Sequence, residues 1–326
     1  MSTVILLQIL AVLVGFALLM WGADRFVMGS SATARNLGVS PLIIGLTIVG
    51  FGTSAPEVLV SAVAAWQGNP QLAVGNALGS NIANVALVLG ATALICPLLV
   101  RSETLRREYP LMFAVMLLSL VLMLDGELSR ADGLILLTGL ALLIYGMVSI
   151  GLRNNRRDPL DQEFAAEIPT GLATRRALLW IAIGLVALLV GSRLAVWGAA
   201  EIALALGVSD LVVGLTIVAV GTSLPELAAS VTSALRKEPD IAIGNIIGSN
   251  MFNLLAVLGI AATLRPMPLA PEVLTRDMPI MIGVSIAFFT MAYGFRGDGR
   301  LNRIEGALLL TGYTAYLLWL AIDMTG

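Results

Sequence analysis

The sequence predicts an all-α polytopic membrane protein of ten transmembrane helices, arranged as two inverted five-helix repeats. Three observations lead there. Of 326 residues, 58% are apolar and 12% charged, roughly half the charge of an ordinary soluble domain. Apolar stretches of about 20 residues recur, the length a helix needs to cross a bilayer while satisfying its own backbone polar groups. Two strings also recur at one fixed offset. Gly52-Thr53-Ser54-Ala55-Pro56-Glu57 is answered by Gly221-Thr222-Ser223-Leu224-Pro225-Glu226, and the string from Gly75 to Asn84 by that from Gly244 to Asn253.

The first span, 4–22, lacks the basic flank of a cleaved leader and reads as a retained helix. The second, 41–65, is interrupted: Pro56 cannot donate a backbone hydrogen bond, which frees carbonyls around Gly52 and Thr53. The third, 73–96, is apolar apart from a stripe of Asn76, Ser80 and Asn84 at i, i+4 and i+8. Spans 109–124 and 131–151 carry no motif. A polar linker, 153–175, then separates a first repeat, 1–152, from a second, 176–326. The second repeat runs 176–200, 210–234 with Pro225, 241–263 with Asn245, Ser249 and Asn253, then 278–294 and 304–322.

From Gly38 to Glu57, 14 of 20 residues equal their counterparts between Gly207 and Glu226; from Ala73 to Asn84, 7 of 12 do. This is an internal duplication. With the N-terminus outside, alternate loops on the inner side collect 15 of the 19 basic residues, Arg25 and Arg35 in the first of them. That bias predicts an inner-membrane protein with both termini outside and the 153–175 linker cytoplasmic. Because five spans is an odd number, the second half enters the bilayer upside down. Inverted repeats of this kind place a transport site near the midplane, where the halves meet.

Glu57 is the sole charged side chain between Asn36 and Val100. A carboxylate at membrane depth costs about 3 kcal/mol, so two at matched positions, Glu57 and Glu226, point to function. Thr53 and Ser54 share a helix face with Glu57, and Thr222 and Ser223 repeat the arrangement. The inventory is carboxylates, hydroxyls, amides and freed carbonyls. There is no histidine and one cysteine, Cys96, which leaves no imidazole or thiolate set for Zn²⁺ or Cu. Hard cations such as Ca²⁺ and Na⁺ suit the oxygens. Asn76, Asn81, Asn245 and Asn250 read equally well as interhelical hydrogen-bonding residues. Asp24, Arg193 and Glu201 are expected near helix ends or snorkelling to the interface. A passive channel and an intramembrane enzyme are the rival classes. Single acidic residues on inverted halves favour a carrier over a channel, and no nucleophile–base set accompanies the acids.

The paired Gly-Thr-Ser-x-Pro-Glu and Gly-Asn-x-x-Gly-Ser-Asn-x-x-Asn strings resemble the two α-repeats of the calcium/cation antiporter superfamily, and most closely its prokaryotic sodium/calcium exchanger branch. The resemblance implies a ten-helix fold and an antiporter, not an enzyme, that expels Ca²⁺ against Na⁺ by alternating access. Exchange coupled to H⁺ is the alternative. It further implies that Glu57 and Glu226 bridge the central ions, that Thr53 and Thr222 give backbone oxygens, and that Ser54, Ser80, Ser223 and Ser249 bind flanking Na⁺. Carbonyls of Gly50 and Ala219 and the amide of Asn84 match further ligand positions. One position departs: sodium exchangers of the family carry Asp where this chain has Asn253, leaving two formal negative charges, enough for one Ca²⁺ or two Na⁺. No cofactor and no nucleic acid is expected; membrane lipid and the transported ions are the partners.

Overall fold

A computed structural model describes residues 3–39, 41–68, 70–100, 102–153, 172–205, 219–293 and 299–323. Its helices are α1 (Thr3–Leu37), α2 (Gly45–Thr53, entered directly from a helical turn at Pro41–Ile44), α3 (Ala55–Trp66), α4 (Pro70–Ile95), α5 (Ser102–Met123), α6 (Arg130–Arg153), α7 (Thr174–Ala205), α8 (Ala219–Thr222), α9 (Leu224–Leu235), α10 (Pro239–Leu264), α11 (Val273–Ala292) and α12 (Arg303–Asp323). Among the described residues, α1, α4, α6, α7, α10 and α11 are each long and apolar enough to cross a membrane. The bent α2–α3 pair makes a seventh if it spans as a unit. The beginning of the predicted 210–234 span lies outside the described residues.

Two boundaries differ from expectation. Helix α1 continues to Leu37 rather than ending near residue 22, and so carries Asp24, Arg25 and Arg35. Nothing interrupts it before Gly38, whose positive φ of 67° ends it. Asp24 therefore lies well inside a helix, where it forms an ion pair with Arg236 beyond the end of α9. Helix α5 starts at Ser102, ahead of the predicted 109.

Helix α1 packs antiparallel along α7, and glycines allow it. Gly15 meets Gly191 and Gly22 meets Gly184, while Gly29 lies against Ala177 and Gly198 against Gln8; each helix carries its three glycines at seven-residue spacing. A Cβ on Gly15 would fall 2.6 Å from Ala195 N, and one on Gly184 2.6 Å from Phe26 N. Two helix backbones meet with no side chain between them. Outward, Leu13, Met20, Leu179 and Val186 leave the pair's far face exposed and apolar, as contact with lipid requires.

The core belongs to α4 and α10. Every residue from Asp240 to Phe252 is buried. Two short antiparallel ladders tie the halves together: β1 (Leu98–Val100) with β4 (Gly299–Leu301), and β2 (Glu127–Leu128) with β3 (Met267–Pro268). Each joins a strand of the first half to one of the second.

Candidate ion-binding site

Both helix breaks fall at a serine. Ser54 (φ −82°, ψ 3°) separates α2 from α3, and Ser223 (φ −88°, ψ 5°) separates α8 from α9. Pro56 and Pro225 sit in the first turns that follow, where a missing N–H costs nothing. The α2–α3 axis bends by 49° there. Glu57 and Glu226 occupy the same first turns, at the helix end whose dipole favours negative charge. They are 1% and 0% exposed.

Each break is braced by an asparagine of the neighbouring helix. Asn76 Nδ2 donates to Glu57 O at 3.3 Å and to Ser61 Oγ at 2.9 Å. Asn245 Nδ2 does the same to Glu226 O at 3.2 Å and Ser230 Oγ at 2.9 Å. Such partners are what an interrupted helix inside a bilayer needs.

The halves meet across these breaks. Ser54 Oγ donates to Glu226 Oε1 at 3.1 Å. Thr53 Oγ1 lies 3.0 Å from Asn245 Oδ1, and Ser249 Oγ donates to the Gly50 carbonyl at 3.2 Å. Asn84 Nδ2 donates to Asn250 Oδ1, and Asn253 Nδ2 to Asn81 Oδ1, both at 3.1 Å. Asn81 Nδ2 in turn donates to the Asn250 carbonyl at 3.2 Å. This chain fixes the amide orientations. With its own amide nitrogen committed to a carbonyl, Asn81 can only accept from Asn253, whose Oδ1 must then turn away.

The consequence is a set of buried oxygens without partners. Among the described residues, nine buried side-chain nitrogen or oxygen atoms lack a hydrogen-bond partner. Six of them are Glu57 Oε1 and Oε2, Glu226 Oε2, Asn84 Oδ1, Asn253 Oδ1 and Ser223 Oγ. A buried unpaired acceptor costs roughly 1–3 kcal/mol, so six from the two repeats call for a shared positive partner. No group of three or more His, Cys, Asp or Glu side chains forms among the described residues. The chemistry is that of a hard cation held by oxygens.

Of the residues singled out from sequence, the structure joins Gly50 to Ser249 and Ser54 to Glu226. Ser80 is buried on α4 between Asn76 and Asn84. Ala219 opens α8 and Thr222 closes it, directly before the break. Asn76, Asn81, Asn245 and Asn250 prove to be hydrogen-bonding residues between helices, as one of their two readings had it. Ser61 and Ser230 escaped notice, although they recur at the same offset as the motifs. Asn84 and Asn253 also open stretches of π-helix, Asn84–Leu89 and Asn253–Val257; such irregularities are frequent at functional sites.

The family model described as "Sodium/calcium exchanger protein" matches residues 7–148 and 176–322, nearly the whole chain. The chain belongs to the sodium/calcium exchanger family. As a member it is a membrane-embedded cation antiporter. It is 50% identical to the putative antiporter CaxA of Alkalimonas amylolytica, over 94% of this chain and 96% of that one. It is 31% identical to the sodium/calcium exchanger MaX1 of Methanosarcina acetivorans, over 96% and 98%. A solved structure of the sodium-calcium exchanger NCX_Mj superposes with a TM-score of 0.82 at 32% identity, covering 96% of this chain and 98% of that one.

Proposed function

We propose that this exchanger carries Ca²⁺ in one direction and Na⁺ in the other through a single site centred on Glu57 and Glu226. The observation that carries this reading is the cluster of six partnerless oxygens, drawn from both repeats and including three of the four carboxylate oxygens. Ion ligands on this reading are Glu57, Glu226, Asn84, Asn253, Ser54, Ser223, Ser80 and Ser249, with Thr53, Thr222, Gly50 and Ala219 giving backbone oxygens. Relatives with sodium and calcium in their names support the choice of ions.

On this reading the chain crosses the bilayer ten times, as two inverted five-span repeats, 1–152 and 176–326, with both termini outside and 153–175 cytoplasmic. Two bare carboxylates buried together resist crossing the bilayer, and one Ca²⁺ or two Na⁺ neutralise them. Only loaded carriers then reorient, which is the condition for exchange. The α1–α7 pair, joined by its glycine seam and free of the motifs, moves against the remaining helices to open one face at a time.

Purified protein in Na⁺-loaded liposomes should take up ⁴⁵Ca²⁺ when external Na⁺ is removed. Varying Na⁺, K⁺ and pH separately identifies the coupling ion. Uptake driven by a pH gradient and indifferent to Na⁺ would establish proton coupling instead, and flux without any counter-ion would indicate a channel.

A further inference from the structure

Arg25 lies well inside α1, yet no carboxylate or carbonyl of the described residues bonds it. Its guanidinium carbon sits 4.9 Å from the centroid of Trp180 on α7 and 5.9 Å from that of Trp21 on α1. The two indoles meet edge to face at 6.3 Å. Arg25 Nε is buried with no hydrogen-bond partner. The one acid beside it, Asp24, is engaged by Arg236. At the position corresponding to Arg25 the second repeat has Leu194, so the pseudo-symmetric cation site has no use for this charge.

The surroundings select the ligand. Arg176, exposed in the first turn of α7, is four residues before Trp180 and so on the same helix face. Trp21 is 43% exposed, and next to it the apolar outer surface includes Met20, Leu178 and Leu179, all more than half or about half exposed. A planar guanidinium lying over an indole presents its remaining N–H groups as a fork that fits phosphate oxygens. Tryptophan belongs at headgroup depth. An anion that reaches this arginine beside an acyl-covered face arrives attached to a lipid.

We propose that Arg25, Trp21, Trp180 and Arg176 form a phosphate site for the headgroup of an anionic phospholipid, seated on the α1–α7 pair. Basic recesses between transmembrane helices bind such headgroups.

The test uses the full-length protein in detergent, with phosphatidylglycerol or phosphatidylcholine added and retained lipid counted by native mass spectrometry. Wild type should retain phosphatidylglycerol preferentially. Arg25→Gln should bind it about fivefold more weakly, the loss expected for one cationic contact, while Arg193→Gln, at the far part of α7, should match wild type. If Arg25→Gln does not fold, Arg176→Gln on the exposed first turn reads the same site. Equal phosphatidylglycerol retention by wild type and both variants overturns the proposal. So does displacement of the lipid by millimolar inorganic phosphate, which would mark a site for free anions. These readouts contain no transport step, so they stand apart from the assignment of the transported ions.

Discussion

From the first-half break Ser54 reaches across to Glu226, while from the second-half break Ser223 Oγ makes no matching bond, and both oxygens of Glu57 have no partner. The backbone at the two serines is nearly the same, and so are the braces from Asn76 and Asn245. A Cβ on Gly248 would fall 2.4 Å from Leu46 O, so α10 meets α2 backbone to backbone. Duplicated sequence thus gives duplicated scaffolding, but unequal contacts around the acids. An alternating carrier needs two halves that exchange such contacts between its states.

Four predictions bear on this difference. The largest effect is expected from the acids. Glu57→Gln or Glu226→Gln leaves one buried carboxylate with half the charge an ion needs, and should lower ⁴⁵Ca²⁺ uptake on the order of a hundredfold or more, at about 3 kcal/mol or above. Equal losses support one shared site; full uptake by either variant removes that glutamate from it. Next, Gly248→Ala should destabilise the purified protein by about 1–3 kcal/mol through overpacking against the Leu46 carbonyl. Thermal unfolding in detergent reads the loss, and an unchanged midpoint would mean that α2 and α10 can part without cost.

Asn81→Leu and Asn250→Leu free the amides of Asn253 and Asn84 to rotate. Each should weaken the apparent Ca²⁺ affinity about tenfold, within the 1–3 kcal/mol that an abandoned buried partner costs, with maximal uptake largely retained. A change in maximal uptake alone would mean that the pairs hold the fold and not the ligands. The smallest effect belongs to the serines. If they take turns bonding the opposite glutamate, Ser54→Ala and Ser223→Ala should shift apparent affinity equally, by about fivefold for a 1 kcal/mol hydrogen bond. A shift confined to Ser54→Ala would show a fixed asymmetry instead.

Much of the site could be read from the chain because its signals are local. Proline after a Gly-Thr-Ser string marks a break, and an isolated glutamate within an apolar stretch marks a function. What escaped depends on contacts remote in sequence. Nothing near Asn84 or Asn253 announces a π-helical stretch. The exchange between Asn81 and Asn253 needs α4 and α10 already packed. For the fold, the α1 boundary was misjudged because Asp24 and Arg25 resemble the end of a span. An ion pair to Arg236 and a bed of two indoles keep those charges on a continuing helix. The seven-residue glycine rhythm in α1 and α7 was visible, but its meaning required knowing which helix faced which.

That rhythm also constrains how the gene can change. Adding or deleting one residue between Gly15 and Gly29 would rotate everything beyond it by about 100° around the helix and swing several glycines off the seam at once. Bulkier side chains would then meet the Gly184–Gly198 stretch, where added carbons already approach backbone atoms within 3 Å. Substitutions on the outward surface of the same helices face no such census, so the tolerance of α1 should be permissive by letter and strict by length.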